Sequence, residues 1–131
     1  MQQITRVNHL GIRVFSLASS RAFYEKLGFK FIVGPVGPEP VAIMEHASGV
    51  NINFILNAAA PTETNVLMDE AVKKAGYTHV ALEVNDMDAV IAQLKTLAID
   101  ITEGPVVFPS GTSVFIRDPD CNVIEFHQPK K

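Results

Sequence analysis

The sequence lacks the features that mark secreted, membrane-spanning and nucleic-acid-binding proteins. It has one cysteine, Cys121, so no intramolecular disulfide can form. No apolar run approaches the roughly 20 residues that a membrane helix needs, and no basic segment followed by an apolar stretch marks a signal peptide. Lysine and arginine are scattered, and the net charge is −3. We therefore expect a cytoplasmic protein that binds neither nucleic acid nor membrane.

The composition is that of a folded domain. Hydrophobic residues make up 47% of the chain and charged residues 19%, which is enough apolar material for a core and gives no sign of disorder. The length of 131 residues fits a single domain, residues 1–131.

The chain is an imperfect tandem repeat. The segment HLGIRV, which begins at His9, aligns with HVALEV, which begins at His79, at an offset of 79 − 9 = 70 residues. The tripeptide Gly-Pro-Val at 34–36 recurs at 104–106 in the same register. Further on, NINF at 51–54 matches VIEF at 123–126 at an offset of 72. A histidine, a Gly-Pro-Val and an apolar pattern in register indicate two modules, about 6–57 and 77–128.

The first module is predicted to contain a strand, a helix and three further strands. Residues 9–15 alternate as a strand does. Ser16 and Ser19 are candidate caps for a helix over residues 19–27. The other strands are expected near residues 30–34, 40–46 and 50–57. The fold class is therefore α+β.

The second module repeats this order. Residues 79–84 form its first strand, and Asp86 can cap a helix. The apolar face of that helix has the i, i+3, i+4, i+7 spacing, with Met87, Val90, Ile91 and Leu94. Further strands are expected near residues 99–102, 112–117 and 122–128, and a short helix over Asn65–Lys74 in the connection at 58–76. Because this connection is short, we expect both modules to pack as one unit.

The repeat draws attention to three potential metal ligands, two of which are histidines at corresponding positions. His9 and His79 each begin the first strand of a module, and Glu125 lies in the last strand of the second. Asn53 holds the position of Glu125 in the first module. Two imidazoles and a carboxylate suit a divalent ion and leave coordination positions open for a substrate. Because Glu125 lies among apolar residues, it needs a partner, and a structural ion pair is the alternative to a metal.

The chain resembles the vicinal oxygen chelate superfamily from about residue 6 to residue 128. The resemblance is carried by four segments: Val7-Asn8-His9, the RAFYEKLGF of residues 21–29, the THVAL of residues 78–82, and the DPDCNVIEF of residues 118–126. It implies two βαβββ modules that form a barrel-like, cup-shaped mixed sheet, usually in a dimer, with the metal inside the cup. It also implies that His9, His79 and Glu125 are the ligands of a divalent ion such as Ni, Zn, Fe, Mn or Co.

Several activities occur in this superfamily. The resemblance favours a metal-dependent lyase or isomerase of the glyoxalase I type, with Glu125 as ligand and base. The alternatives are an extradiol-type dioxygenase, a fosfomycin-type thiol transferase and a metal-free binder of the bleomycin-resistance type. Asn53 stands where glyoxalase I has a glutamate that serves as ligand and base, and an amide cannot take up a proton. The lyase assignment therefore depends on Glu125.

Arg13, Asn53 and Asn57 are candidate substrate contacts, and other positions neighbour the ligands. Arg13 and Asn57 match residues that contact the glutamyl end of glutathione in glyoxalase I, so a glutathione adduct is a candidate substrate. His127 shares a strand face with Glu125 and is either an auxiliary group or a histidine at the rim. His46 aligns with Asp118 at the offset of 72, which indicates a turn position. Cys121 replaces the glycine usual in the family, which also indicates a turn.

Overall fold

A computed structural model describes residues 1–131 of the chain. They divide into two compact units, Met1–Pro61 and Thr62–Lys131. Each unit contains a strand, a helix and three strands in that order, which confirms the α+β class and the two βαβββ modules. The hydrogen bonds form two four-stranded sheets and do not close the strands into one barrel. Packing of both modules as one domain stays a prediction.

The first unit has one mixed sheet with the strand order β1-β4-β3-β2. β1 and β4 run parallel, and the other neighbours are antiparallel. Alternate residues of β3 and β4 are fully or almost fully buried, namely Ala42, Met44, Ile52 and Phe54. The Tyr24 ring of α1 covers this face, with its centroid 5.2 Å from that of Phe54. The elements are β1 Leu10–Arg13, α1 Leu17–Lys26, β2 Lys30–Val36, β3 Val41–Glu45 and β4 Asn51–Ile55.

The second unit repeats this topology with the strand order β5-β8-β7-β6. Val114 and Ile116 of β7 and Ile124 of β8 are almost fully buried, as is Leu94 of α2. Since strand residues alternate between faces, the opposite face of the sheet carries Ser113, Phe115, Glu125 and His127. The elements are β5 His79–Glu83, α2 Met87–Thr96, β6 Glu103–Phe108, β7 Gly111–Arg117 and β8 Val123–Pro129. None of the helices in the chain has the length and apolar character that crossing a bilayer requires.

Both helices begin at the predicted caps. The Ser16 hydroxyl accepts a hydrogen bond from the Ser19 amide at 3.2 Å, so Ser16 is the N-cap of α1 and Ser19 lies inside the helix. The Asp86 carboxylate accepts one from the Ala89 amide at 2.9 Å and caps α2. Each cap satisfies an amide that has no partner within its helix.

Both helices also end in the same way. After α1, the Gly28 amide bonds to the Glu25 carbonyl and the Phe29 amide to the Tyr24 carbonyl, each at 3.0 Å. After α2, the corresponding bonds run from Ala98 to Lys95 and from Ile99 to Leu94. This pair of bonds defines the Schellman motif, whose first residue beyond the cap has a positive φ. That residue is Gly28 in α1 and Ala98 in α2.

Two predicted elements are wrong. Residues 99–102 do not form a strand, because the Ile99 amide bonds back to Leu94 at the end of α2, and the β6 strand begins at Glu103. The helix expected over Asn65–Lys74 is reduced to turns and bends. The Asn65 side chain accepts bonds from the Leu67 and Met68 amides, which closes a single turn instead of starting a longer helix.

Candidate metal site

His79 and Glu125 come together on one face of the second sheet. Strands β5 and β8 are parallel neighbours, with His79 opposite Val123 and Ala81 opposite Glu125. Both side chains therefore project from the same side, and His79 Nε2 lies 2.9 Å from Glu125 Oε2. The Glu125 side chain is only 12% exposed. A carboxylate so enclosed needs polar partners, and the His79 imidazole supplies one.

The other carboxylate oxygen of Glu125 is held by β7. The hydroxyl of Ser113 donates to Glu125 Oε1 at 2.6 Å. Ser113 Oγ also lies 2.8 Å from His127 Nδ1. Because the serine proton goes to the carboxylate, its oxygen accepts from the imidazole. His127 thus contacts the cluster through the serine, and its Nδ1 lies 3.7 Å from Glu125 Oε1.

Ser113 was missed in the sequence, although a signal for it exists. Ser113 is fully buried and lies directly before the apolar run Val114-Phe115-Ile116. At the repeat offset of 72, the corresponding residue of the first module is Val41. A buried hydroxyl where the other copy has an aliphatic side chain is the kind of departure that indicates a site.

The two histidines have similar local partners. His9 Nδ1 lies 2.8 Å from Asn8 Oδ1, which can only accept, so His9 carries its proton on Nδ1 and presents the Nε2 lone pair. His79 Nδ1 lies 2.9 Å from the Thr78 hydroxyl, which can accept or donate. Asn8 and Thr78 correspond at the repeat offset of 70. In each module, the residue before the histidine therefore orients the ring.

The structure does not by itself assemble a complete ligand set. No group of three or more His, Cys, Asp or Glu side chains is arranged to hold a metal ion. His79 and Glu125 are in contact within the second unit, while His9 belongs to the first unit. The ligand roles of His9, His79 and Glu125 therefore stay a prediction, as does the catalytic role of Glu125.

The predicted substrate contacts lie in the first unit. Arg13 Nε donates to Asn57 Oδ1 at 2.8 Å, and Asn57 Nδ2 donates to Glu39 Oε1 at 2.8 Å. Asn53 pairs with Gly11 and Ile43 in the sheet, on the same face as Arg13. Arg13 and Asn57 are thus brought together as the sequence suggests, with Glu39 as an additional partner. Their substrate-binding role stays a prediction, as does that of Asn53.

The turn predictions for His46 and Cys121 agree with the structure. His46 Nδ1 accepts from the Ser48 amide at 3.1 Å, just as Asp118 Oδ1 accepts from the Asp120 and Asn122 amides at 2.9 Å. Cys121 has a φ of +62°, the conformation that glycine adopts most easily. Burial raises the pKa of its thiol, which disfavours the nucleophilic thiolate.

Two relatives match nearly the whole chain at 27% and 28% identity. Methylmalonyl-CoA epimerase, mitochondrial, from Bos taurus is 27% identical over 136 residues, which span 94% of this chain and 74% of that protein. Virulence protein STM3117 of Salmonella typhimurium is 28% identical over 135 residues, 95% of this chain and 85% of that protein.

Solved structures share the fold at lower identity. An antibiotic binding protein, TnmS3 from Streptomyces sp. CB03234, matches with a TM-score of 0.76 and 21% identity, over 98% of both chains. A mutant of the fosfomycin resistance protein FosX from Listeria monocytogenes, complexed with Mn(II) and 1S,2S-dihydroxypropylphosphonic acid, matches with a TM-score of 0.70 and 18% identity, over 98% of this chain and 95% of that one. At these identities the likeness concerns the fold alone.

The family model that matches the chain covers nearly all of it. The match runs from residue 6 to residue 126 and therefore includes both modules. It also includes His9, His79 and Glu125. The chain belongs to the Glyoxalase/Bleomycin resistance protein/Dioxygenase superfamily.

Proposed function

We propose that the protein is a metal-dependent lyase or isomerase in which His9, His79 and Glu125 bind one divalent ion. The observation that carries this proposal is the contact between His79 Nε2 and Glu125 Oε2 at 2.9 Å. The remaining polar atom of each side chain is already bonded, to Thr78 and to Ser113. The two atoms that these bonds leave over, His79 Nε2 and Glu125 Oε2, contact each other, and a metal ion bound there would replace that contact.

The spacing of these two atoms fits a shared ion. Metal–nitrogen and metal–oxygen bonds of about 2.0–2.2 Å place two ligands at right angles about 3 Å apart. The observed separation is 2.9 Å. When Nε2 of His79 binds a metal, its Nδ1 can donate a hydrogen bond to the Thr78 hydroxyl, just as His9 Nδ1 can donate to Asn8 Oδ1. Imidazole and carboxylate donors together suit Ni, Zn, Fe, Mn or Co.

The bound ion supplies Lewis-acid chemistry towards adjacent oxygens of a small substrate. The residues of the chain must then move the proton. Asn53 cannot act as a base, because its amide does not titrate. We therefore assign the removal of a carbon-bound proton to Glu125, because it is the only carboxylate among the three proposed ligands. Arg13 and Asn57 supply a guanidinium and an amide for a carboxylate on the remote part of the substrate.

Two substrate classes are compatible with proton transfer next to a carbonyl group. The first is a glutathione hemithioacetal, for which Arg13 and Asn57 are the supporting observation. The second is an acyl-coenzyme A whose α-carbon is epimerised, supported by the similarity to methylmalonyl-CoA epimerase over 94% of the chain. Asn53 favours the acyl-coenzyme A over the hemithioacetal, because it stands where glyoxalase I has the glutamate that serves as a base.

The proposal is tested by supplying metal-loaded protein with both substrates. The expected result is turnover of either the methylglyoxal–glutathione hemithioacetal or methylmalonyl-CoA, with deuterium from heavy water incorporated at carbon. The Glu125→Gln variant keeps the size of the side chain and should lose this exchange. Oxygen uptake with catechols would instead support the dioxygenase alternative. Tight binding of an antibiotic without any metal would support the resistance-protein alternative.

We also propose that the protein is a homodimer. Each of the strands β2 and β6 lies at one edge of its sheet and carries apolar side chains that remain exposed. They include Ile32, at 50% exposure, and Val107, at 81%. Such edges favour association with another chain. Sedimentation equilibrium should give twice the chain mass, and a monomer at micromolar concentration would contradict the proposal.

A further inference from the structure

We propose that Ser113 is a positioning residue, which holds the Glu125 carboxylate so that only Oε2 binds the metal, and that His127 holds the serine in turn. This inference rests on the proposed metal-binding function. It adds two residues to the site, neither of which is a ligand.

The geometry directs the single hydroxyl proton of Ser113 to the Glu125 carboxylate. Its hydroxyl lies 2.6 Å from Glu125 Oε1, a short distance typical of a hydrogen bond to an ionised carboxylate. Its second contact, at 2.8 Å, is with His127 Nδ1. Ser113 has no exposed surface, so water does not compete for the hydroxyl. The serine therefore holds Oε1 of the carboxylate, while Oε2 faces His79 Nε2 at 2.9 Å, where the metal is proposed to bind.

The register of the sheet makes this arrangement rigid. Ser113 and His127 are directly opposite each other on β7 and β8, and Phe115 is opposite Glu125. All of them lie on the same face, because residues two apart in a strand share a side. The Phe115 ring packs edge-on against His79, with centroids 6.0 Å apart. Backbone pairing thus fixes the separation of the serine from the carboxylate.

The first module is an internal comparison for the same positions. At the offset of 72, Ser113 corresponds to Val41 and His127 to Ile55. These residues are likewise paired across β3 and β4, so the backbone arrangement is the same. The residue corresponding to Glu125 is Asn53, which has no negative charge to support. The fold accepts aliphatic residues at both positions, and the serine and histidine occur only beside the carboxylate.

Holding one oxygen has a consequence for metal binding. A carboxylate that is free to rotate loses conformational freedom when it binds an ion, whereas one already fixed does not. Residues that orient metal ligands in this way typically change affinity about 10- to 100-fold when they are removed. Ser113→Ala deletes the hydroxyl with little change in volume and should weaken metal binding by at least about tenfold.

The test is a calorimetric titration of the metal-free protein with Mn(II) and Co(II). The variants are Ser113→Ala, Ser113→Thr, which keeps the hydroxyl, and Ser20→Ala, a matched control at another fully buried serine. Ser113→Ala should lose at least about tenfold in affinity, while Ser113→Thr recovers most of it and Ser20→Ala binds as the wild type does. The visible spectrum of bound Co(II) should change in Ser113→Ala alone.

The outcomes separate this inference from the function on which it rests. If the wild type binds neither ion, the proposed metal site is wrong and the inference falls with it. If the wild type binds but Ser113→Ala has the same dissociation constant, only the positioning role is wrong. Should Ser113→Ala fail to fold, His127→Ala decides, because loss of the imidazole must also weaken metal binding. An unchanged affinity in that variant overturns the inference.

Discussion

Replacing Ala98 by glycine is expected to stabilise the second unit. Ala98 follows α2 with a φ of +55°, the left-handed conformation that its Cβ disfavours. The corresponding residue after α1 is Gly28, with a φ of +89°. The same helix-ending hydrogen bonds are made in both places. The alanine therefore occupies a position where the backbone geometry calls for glycine.

The magnitude follows from two opposing contributions. A residue with a side chain in the left-handed conformation costs roughly 1–2 kcal/mol. Glycine makes the unfolded chain more flexible, which costs about 0.4–1 kcal/mol. The Ala98 side chain is exposed, so losing its methyl group removes little packing. The net expectation for Ala98→Gly is a gain of about 0.5–1 kcal/mol in the free energy of unfolding.

The opposite substitution in the first module is the matched control. A Cβ at position 28 would lie 3.2 Å from His46 Nε2 and 3.4 Å from its Cδ2, which adds crowding to the unfavourable φ. Gly28→Ala should therefore lose at least about 1 kcal/mol. Urea unfolding followed by circular dichroism measures both changes. A loss of stability in Ala98→Gly would refute the assignment of strain to this residue.

Three further predictions concern single side chains. Asp86→Ala removes the cap of α2 and should lower the free energy of unfolding by about 1 kcal/mol in the same urea assay. The hydrogen bonds from Arg117 hold the pKa of Asp69 below its usual 3.8. The ionised Asp69 therefore stabilises the folded protein fully above its unfolded-state pKa, and this contribution is lost as pH falls through the lower folded-state pKa. Asp69→Asn should therefore reduce the loss of stability between about pH 5 and pH 2, and an identical acid unfolding profile would contradict this. Because burial raises the pKa of the Cys121 thiol, iodoacetamide at pH 8 should modify it more slowly than a cysteine in an unstructured peptide.

Local signals in the sequence account for most of the fold. The helix caps Ser16 and Asp86 act on amides three residues away, so their effect can be predicted from neighbouring residues alone. The repeat adds further information, because a clear strand or helix pattern in one module supports the same assignment where the pattern in the other module is weaker. It predicts the order of elements in each unit and the correspondence of His9 with His79.

The errors arise where distant residues or competing local bonds decide the structure. The connection at 65–69 is held by Arg117, whose guanidinium forms two bonds to the Asp69 carboxylate at 2.9 and 3.0 Å from 48 positions away. No pattern within the connection reveals that contact. The strand expected at 99–102 fails because Ile99 completes the end of α2 and is buried in the core.

In the candidate site, too, local sequence signals predict some residues, while others depend on contacts between distant parts of the chain. The residue types of His79 and Glu125 and their place in the repeat are sufficient to nominate them. The role of Ser113 depends on a contact with Glu125 across paired strands. Only the register of β7 and β8 brings the hydroxyl to the carboxylate. The sequence therefore identifies candidate ligands more readily than the residues that hold them.

Metal analysis of the purified protein, after loading with a divalent ion and removal of the excess, tests the central claim most directly. The wild type is expected to retain one ion per chain, and His9→Ala, His79→Ala and Glu125→Ala should each lose most of it. Circular dichroism of each variant confirms that its fold is kept. If His9→Ala or His79→Ala retains the wild-type metal content, the two modules do not contribute to one metal site.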